Sequence, residues 1–374
     1  MIYLDHNATT PVKPAVRAAM MEAMERTGDP SSGHRCGRTV RESIEEARER
    51  VAALVGVKPA QVIFTSGGTE ANNLAKRVNV ASLMVSAIEH DSILASVPPH
   101  TQRIPVTADG VVNMLAAEMI FKTTHSPGWV AVMLVNNETG VIQPVAEIAQ
   151  KAKAYGHLVH TDAVQAVGCI SIDFAELGVD SMSISAHKIG GPHGVGALIV
   201  SKDMMLQPLL CGGRQERNRR AGTENFSGIV GFGVAAQLAA DDLMEAPKIR
   251  RWRDETQDCL KFIAGEDAIV IGERAPRVAN TLCIALRGIS AKSQIMAMDL
   301  AGVAVGAVSG CSNGKVKTSH VLRAMGYNDA IAASALRISL GWNTEPSDLM
   351  RCIDAWSALY RHARHSAQLR SIVA

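Results

Sequence analysis

Ser185-Ala186-His187-Lys188-Ile189-Gly190-Gly191-Pro192 sets a lysine just after an apolar strand pattern and just before a glycine turn. A lysine in that position has its amine held over the edge of a sheet. Such an amine can form a Schiff base with a carbonyl cofactor. A lone loop lysine is more often simply solvated, so the neighbouring segments must decide. Upstream, apolar strand patterns recur at residues 61–65, 83–88, 129–135, 157–162 and 181–185, and one more follows at 195–200. Helical patterns lie between them. Val40, Ile44, Ala47, Val51 and Leu54 repeat at helical spacing with Gly56 as the stop, and residues 145–155 form another helix. This alternation predicts an α/β fold with a mostly parallel sheet covered by helices on both faces.

Downstream, the charged stretch 241–254 contains Pro247 and breaks the rhythm. A domain boundary is expected there. The remainder reads as a small α+β unit: a helix over 249–263, strands at 268–271 and 280–286, a helix over 292–300, a loop over 306–319, a strand at 336–340 and a helix from Pro346. The expected division is a large unit over 12–247 and a small unit formed by 1–11 and 248–374.

Composition bounds the function. The 374 residues suggest two to three domains at roughly 150 residues each. Lys+Arg is 38 and Asp+Glu is 36, a net charge of +2, so neither nucleic acid nor an anionic membrane is expected as a direct partner. Cys36, Cys169, Cys211, Cys259, Cys283, Cys311 and Cys352 are odd in number and form no Cys-x-x-Cys pair. This argues against a disulfide framework and a structural zinc site, and for a reducing compartment. No basic-then-apolar start marks a secretory signal. A cytoplasmic protein is expected.

Five further segments carry chemistry. His160-Thr161-Asp162-Ala163-Val164-Gln165 ends a strand on Asp162, which suits a protonated pyridinium nitrogen or, equally, a helix cap. Thr65-Ser66-Gly67-Gly68-Thr69-Glu70 brings backbone N–H groups and the Thr69 hydroxyl to a helix start, where an anion can sit. Glu89-His90 offers an imidazole that can stack on a flat ring or carry a proton, though a surface histidine is the commoner case. Gly306 to Lys315 surrounds Cys311 with glycines and reads as a mobile loop bearing an accessible thiol. Cys36 and Cys211 remain alternative reactive thiols, and the other four cysteines read as core filler. In Ala335-Leu336-Arg337-Ile338-Ser339, an arginine within an apolar strand needs a carboxylate, either a substrate's or a structural partner's.

Together with Tyr3-Leu4-Asp5-His6-Asn7-Ala8-Thr9-Thr10-Pro11, Val135-Asn136-Asn137-Glu138-Thr139-Gly140 and Arg220-Ala221-Gly222-Thr223-Glu224-Asn225, these motifs closely resemble NifS/IscS-type cysteine desulfurases. That group lies in the class V aminotransferase family and has the aspartate-aminotransferase-like fold type I. The resemblance runs over nearly the whole chain. It implies pyridoxal 5'-phosphate as cofactor and L-cysteine as substrate, yielding L-alanine. Lys188 would be the Schiff-base lysine, Asp162 would hold the ring nitrogen, Gln165 the phenolic oxygen, and His90 would stack on the ring. Gly68, Thr69, Ser185 and His187 match phosphate-side positions. Thr223 matches one that reaches a partner subunit's cofactor, so a homodimer is implied. Asn137 and Arg337 would hold the substrate carboxylate. Cys311 would form a persulfide for a sulfur-acceptor protein, either an iron–sulfur scaffold or a thiolation protein. Selenocysteine lyase or another class V reaction is the alternative. The segment before Cys311 departs from the usual Ser-Ser-Gly-Ser-Ala, Asp29 stands where Asn is usual, and Cys211 replaces a glycine. The chain also ends at Val373-Ala374, short of the tail that some members use for docking.

Overall fold

The structure, a computed structural model, describes residues 1–308, 311–312, 315–316 and 318–373; side chains at 309–317 and 366–374 lie outside the description. Its strands are β1 (Ile2–Leu4), β2 (Val62–Thr65), β3 (Ser82–Ser86), β4 (Gln102–Ile104), β5 (Gly128–Ala131), β6 (Leu158–Asp162), β7 (Ser181–Ser185), β8 (Gly196–Val200), β9 (Ala268–Val270), β10 (Thr281–Leu286), β11 (Val303–Ala307), β12 (Cys311–Ser312), β13 (Lys315–Val316) and β14 (Ala335–Ser339).

Seven of these form one sheet in the order β2-β8-β7-β6-β5-β3-β4. The run from β4 to β7 is parallel, while β8 lies antiparallel to both β7 and β2. Parallel strands need helical crossovers, which cover both faces, and the strands are therefore apolar on both sides. Every residue of β7 and β8 is buried. On one face, Val40, Ile44 and Val51 of the helix Arg35–Leu54 pack with Val130, Val159, Ile184 and Phe232. The α/β expectation is borne out.

A second sheet runs β1-β11-β14-β10-β9. Only β1 and β11 pair in parallel; the other neighbours are antiparallel. Leu4, Leu282, Ile284, Ile338 and Trp356 build its core. The first residues of the chain thus join strands made hundreds of residues later.

Two expectations are corrected. Pro247 does not break the chain: one helix runs Phe226–Ala264 with Pro247 inside it. Proline removes one helical hydrogen bond and crowds the preceding turn. Here both flanks are held, the first half against the helices Pro14–Met24 and Arg35–Leu54 and the second against β9, β10 and the helix Pro346–Val373. Nor is 306–319 all loop. Gly306 and Ala307 belong to β11, paired with Arg337 and Leu336 of β14, and β12 and β13 form a short antiparallel ladder pairing Cys311 with Val316. Among the described residues, no helix is long and apolar enough to cross a membrane.

A buried ion pair fixes β2 ahead of the Gly67-Gly68 turn. Arg48 Nη1 and Nη2 donate to Glu216 Oε2 and Oε1 at 2.7 and 2.8 Å, and the Phe64 N–H donates to Glu216 Oε2 at 2.9 Å. Glu216, Arg217 and Asn218 all take positive φ (47, 58 and 64°) to present that carboxylate. For non-glycine residues this is a strained backbone, held only by its surroundings. Removing the carboxylate strands a buried guanidinium. Glu216→Ala is therefore expected to cost about 3–5 kcal/mol, read as a lower urea midpoint; an unchanged midpoint contradicts this account.

Candidate active site

Parallel strands bring their carboxyl ends to one edge, and loops leaving that edge form a crevice. Here β6 and β7 lie side by side in parallel. Asp162 therefore ends β6 close to the point where β7 delivers Ser185, His187 and Lys188. The helix Gly68–Ala75 starts at the same edge. A cavity of about 260 Å³ results, lined by Gly68, Thr69, His90, Asn137, Asp162, Gln165, Ser185, His187 and Lys188, together with Ala8 and Asn72.

Lys188 Nζ donates to the carbonyl of Asn7 and, at 2.9 Å, to that of Ala8. Its pKa falls to about 8, chiefly through burial and also through the Arg337 charge; Asp162 and Asp5 oppose the fall. The amine is thus poised to lose its proton near neutral pH. Neighbouring His187 drops to about 4, through burial first and then the charges of Lys188 and His193. It stays neutral and shares the Thr9 hydroxyl at 3.2 Å.

Asp162 is buried, with Oδ1 accepting from the Val164 N–H at 2.9 Å and Oδ2 from Asn72 Nδ2 at 2.6 Å. It caps the following turn and also lines the cavity. Asn72 also binds Ser92 Oγ, and its Oδ1 faces His160 Nε2 at 3.0 Å. His90 accepts the Ser92 N–H on Nδ1 at 3.1 Å, which leaves the proton of the neutral ring on Nε2. Gln165 Nε2 donates to the Asn7 carbonyl at 2.9 Å.

Arg337 stands on β14 and is outside the cavity's lining. Its Nη2 meets Asp5 Oδ1 at 2.7 Å and its Nη1 donates to the Asn137 carbonyl at 2.9 Å. Nε is buried without a partner among the described residues. Gly306, expected to loosen a loop, instead makes room for this pair: a Cβ there would lie 2.5 Å from Asp5 Oδ1 and 2.9 Å from Arg337 Nη2.

Not every expected residue joins the cavity. Thr223 is exposed and outside its lining. The Arg220–Glu70 ion pair, at 2.8 Å, ties its segment to the helix that carries Thr69. Only the backbone of Cys311 is described, in β12. Cys283 and Cys352 are buried, and burial raises their pKa and that of Cys169, to about 12 for Cys169 and Cys352. Cys259, expected in the core, is exposed like Cys36 and Cys211. Sequence reading missed Asn72, which lines the cavity, and gave no role to Asp5, Glu89 or Glu138, which lie outside its lining. Burial pushes these two glutamates up to about 8 and about 7. Asn72 lies one helical turn after Thr69, and that spacing is the signal that could have found it.

The aminotransferase class-V pattern matches residues 2–351. The chain belongs to that family. It is 37% identical to an "IscS-like cysteine desulfurase" of Mycobacterium tuberculosis, over 98% of each chain. A NifS-like protein from Rickettsia africae superposes with a TM-score of 0.90 at 35% identity, covering 96% of this chain and 99% of that one. A structure described as SspA in complex with cysteine superposes with a TM-score of 0.77 at 28% identity, covering 91% and 99%. The class V assignment agrees with the resemblance read from the motifs.

Lys188 offers a direct check on the electrostatics. In the cofactor-free protein, its modification by an amine-directed reagent should rise with pH around a midpoint near 8. Arg337→Gln removes a positive neighbour and should move that midpoint upward; a midpoint near 10.5 in the parent protein would contradict the geometry.

Proposed function

We propose that this chain is a cysteine desulfurase, which converts L-cysteine to L-alanine and leaves the sulfur on Cys311 for an acceptor protein. The meeting of Lys188 and Asp162 in one cavity carries the reading, together with full-length similarity to proteins named for that activity.

The family depends in general on pyridoxal phosphate, and the residues here fit it. A primary amine of low proton affinity and a buried carboxylate line the same cavity. Gly67 has a φ of 151° and a Cβ there would meet nothing within 4 Å, so the backbone ahead of the helix Gly68–Ala75 is open to a phosphate, while Gly68 packs closely on Val164. Lys188 would hold the group covalently, Asp162 its ring nitrogen, Gln165 its phenolic oxygen and His90 its ring face. Gly68, Thr69, Ser185 and His187 would hold the phosphate, with Thr223 serving the same purpose for a second copy in a homodimer. When bound, the cofactor supplies an electron sink for charge developing at the substrate's Cα.

The protein's own groups do the rest. Arg337 and Asn137 orient the substrate carboxylate, with the buried Nε as the donor still lacking an acceptor. Lys188, neutral near pH 8, removes the Cα proton. Cys311 thiolate bonds to the substrate sulfur as the Cβ–S bond breaks, and the electron pair stays with the carbon. One L-cysteine and one Cys311 thiol thus become one L-alanine and one Cys311 persulfide. An iron–sulfur scaffold or a thiolation protein would take that sulfur. The exposed thiols of Cys36, Cys211 and Cys259 suit work in a reducing cytoplasm.

Incubation of the cofactor-loaded protein with L-cysteine, followed by mass spectrometry of the Cys311 peptide, should show one added sulfur atom. Lys188→Ala should slow alanine formation by about 10²–10⁴-fold, and Cys311→Ala should abolish the persulfide. Alanine formed by Cys311→Ala at the parent rate would overturn the sulfur-relay reading.

A further inference from the structure

Asp5 has no assigned role, yet three strands converge to hold its carboxylate against Arg337. β1 delivers it, and a backbone bridge joins it to Ser339 at the end of β14. β11 contributes Gly306, the residue without a side chain that would collide with it. The Tyr3 hydroxyl donates to the Asp5 carbonyl at 3.1 Å. This carboxylate takes Arg337 Nη2, the Asn137 carbonyl takes Nη1, and the buried Nε is left as the donor without a partner among the described residues.

We propose that Asp5 is a positioning residue, which aims the Arg337 guanidinium at an incoming α-carboxylate and, by its own charge, limits how tightly that carboxylate is held. This rests on the reading of Arg337 as the substrate anchor. A buried guanidinium with one carboxylate is already neutralised. A second carboxylate then meets one positive charge shared between two negative ones, so it is oriented without being trapped. The alanine product carries the same carboxylate and must leave by the same contact.

Asp5 also acts on Lys188. The charged groups facing that amine are Arg337 of β14, Asp162 of β6 and Asp5, with neutral His187 beside it. Asp5 itself faces Arg337, Lys188 and the Tyr3 phenol. Removing its charge leaves Arg337 less opposed and lowers the proton affinity of Lys188.

Asp5→Asn keeps an oxygen toward Nη2 and removes the charge, whereas Asp5→Ala removes both. Three readouts separate them: calorimetric affinity of the cofactor-loaded protein for L-alanine, KM and kcat for L-cysteine, and the pH midpoint of Lys188 modification without cofactor. Asp5→Asn should bind L-alanine roughly five- to tenfold more tightly, with a lower KM, no gain in kcat and a Lys188 midpoint moved down. Asp5→Ala should bind L-alanine more weakly than the parent. Equal weakening in both variants with an unmoved midpoint would overturn the proposal, as would no change in either. Should Asp5→Ala fail to fold, the near-isosteric Asp5→Asn carries the test against the parent. A parent protein that binds L-alanine but produces none from L-cysteine would instead sink the desulfurase reading and leave Asp5 testable on affinity and midpoint alone.

Discussion

The carbonyl of Asn7 accepts from both Lys188 and Gln165, and the rest of the cavity depends on that convergence. Neither donor can choose its place independently. The same asparagine reaches the other sheet through its side chain, with Nδ2 donating to Thr281 Oγ1 at 2.9 Å and its backbone N–H to Ser339 Oγ at 2.9 Å. One residue of the N-terminal segment thus stitches the seven-stranded sheet to the five-stranded one. Asp5 and Ala8 extend the seam on either side, one toward Arg337 and the other toward Lys188. A buried polar segment is tolerable only when its groups are paired. The pairing here comes from residues of the site, so the requirements of folding and of the cavity coincide.

Electrostatic balance follows from the same arrangement. Arg337, Asp5 and Asp162 set alternating charges around Lys188 within a poorly solvated region. Burial alone would favour a neutral amine, while the two carboxylates restore part of its proton affinity. The outcome is an amine near the middle of the physiological range rather than at either extreme. The general-base role proposed for Lys188 requires that intermediate strength.

Much of this was legible locally. Asp162, Lys188 and the Gly67-Gly68 turn sit at ends of apolar runs, and parallel sheets place such ends together, so neighbouring motifs implied neighbouring positions. What escaped was set by distant partners. β1 has only three residues, too few for a periodic signal. Asp5 reads as an ordinary polar residue until Arg337 is beside it. Gly306 carries the signature of a flexible turn, and only the packed pair shows that missing volume, rather than freedom, is its contribution. Pro247 illustrates the converse: a strong local breaker was overridden because both flanks of its helix are packed.

The seam has a consequence for how the chain is made. Asp5 and Asn7 find partners 332 positions later, in Arg337 and Ser339. A ribosome releases the N-terminus first, so these residues emerge long before β14 exists. The seven-stranded sheet can assemble meanwhile from segments already synthesised, and every residue lining its crevice precedes residue 189. Closing a loop of that length is slow compared with local pairing. The last strand to be translated is therefore the one that pins the segment begun by the first, and with it the Asn7 carbonyl that holds Lys188 and Gln165.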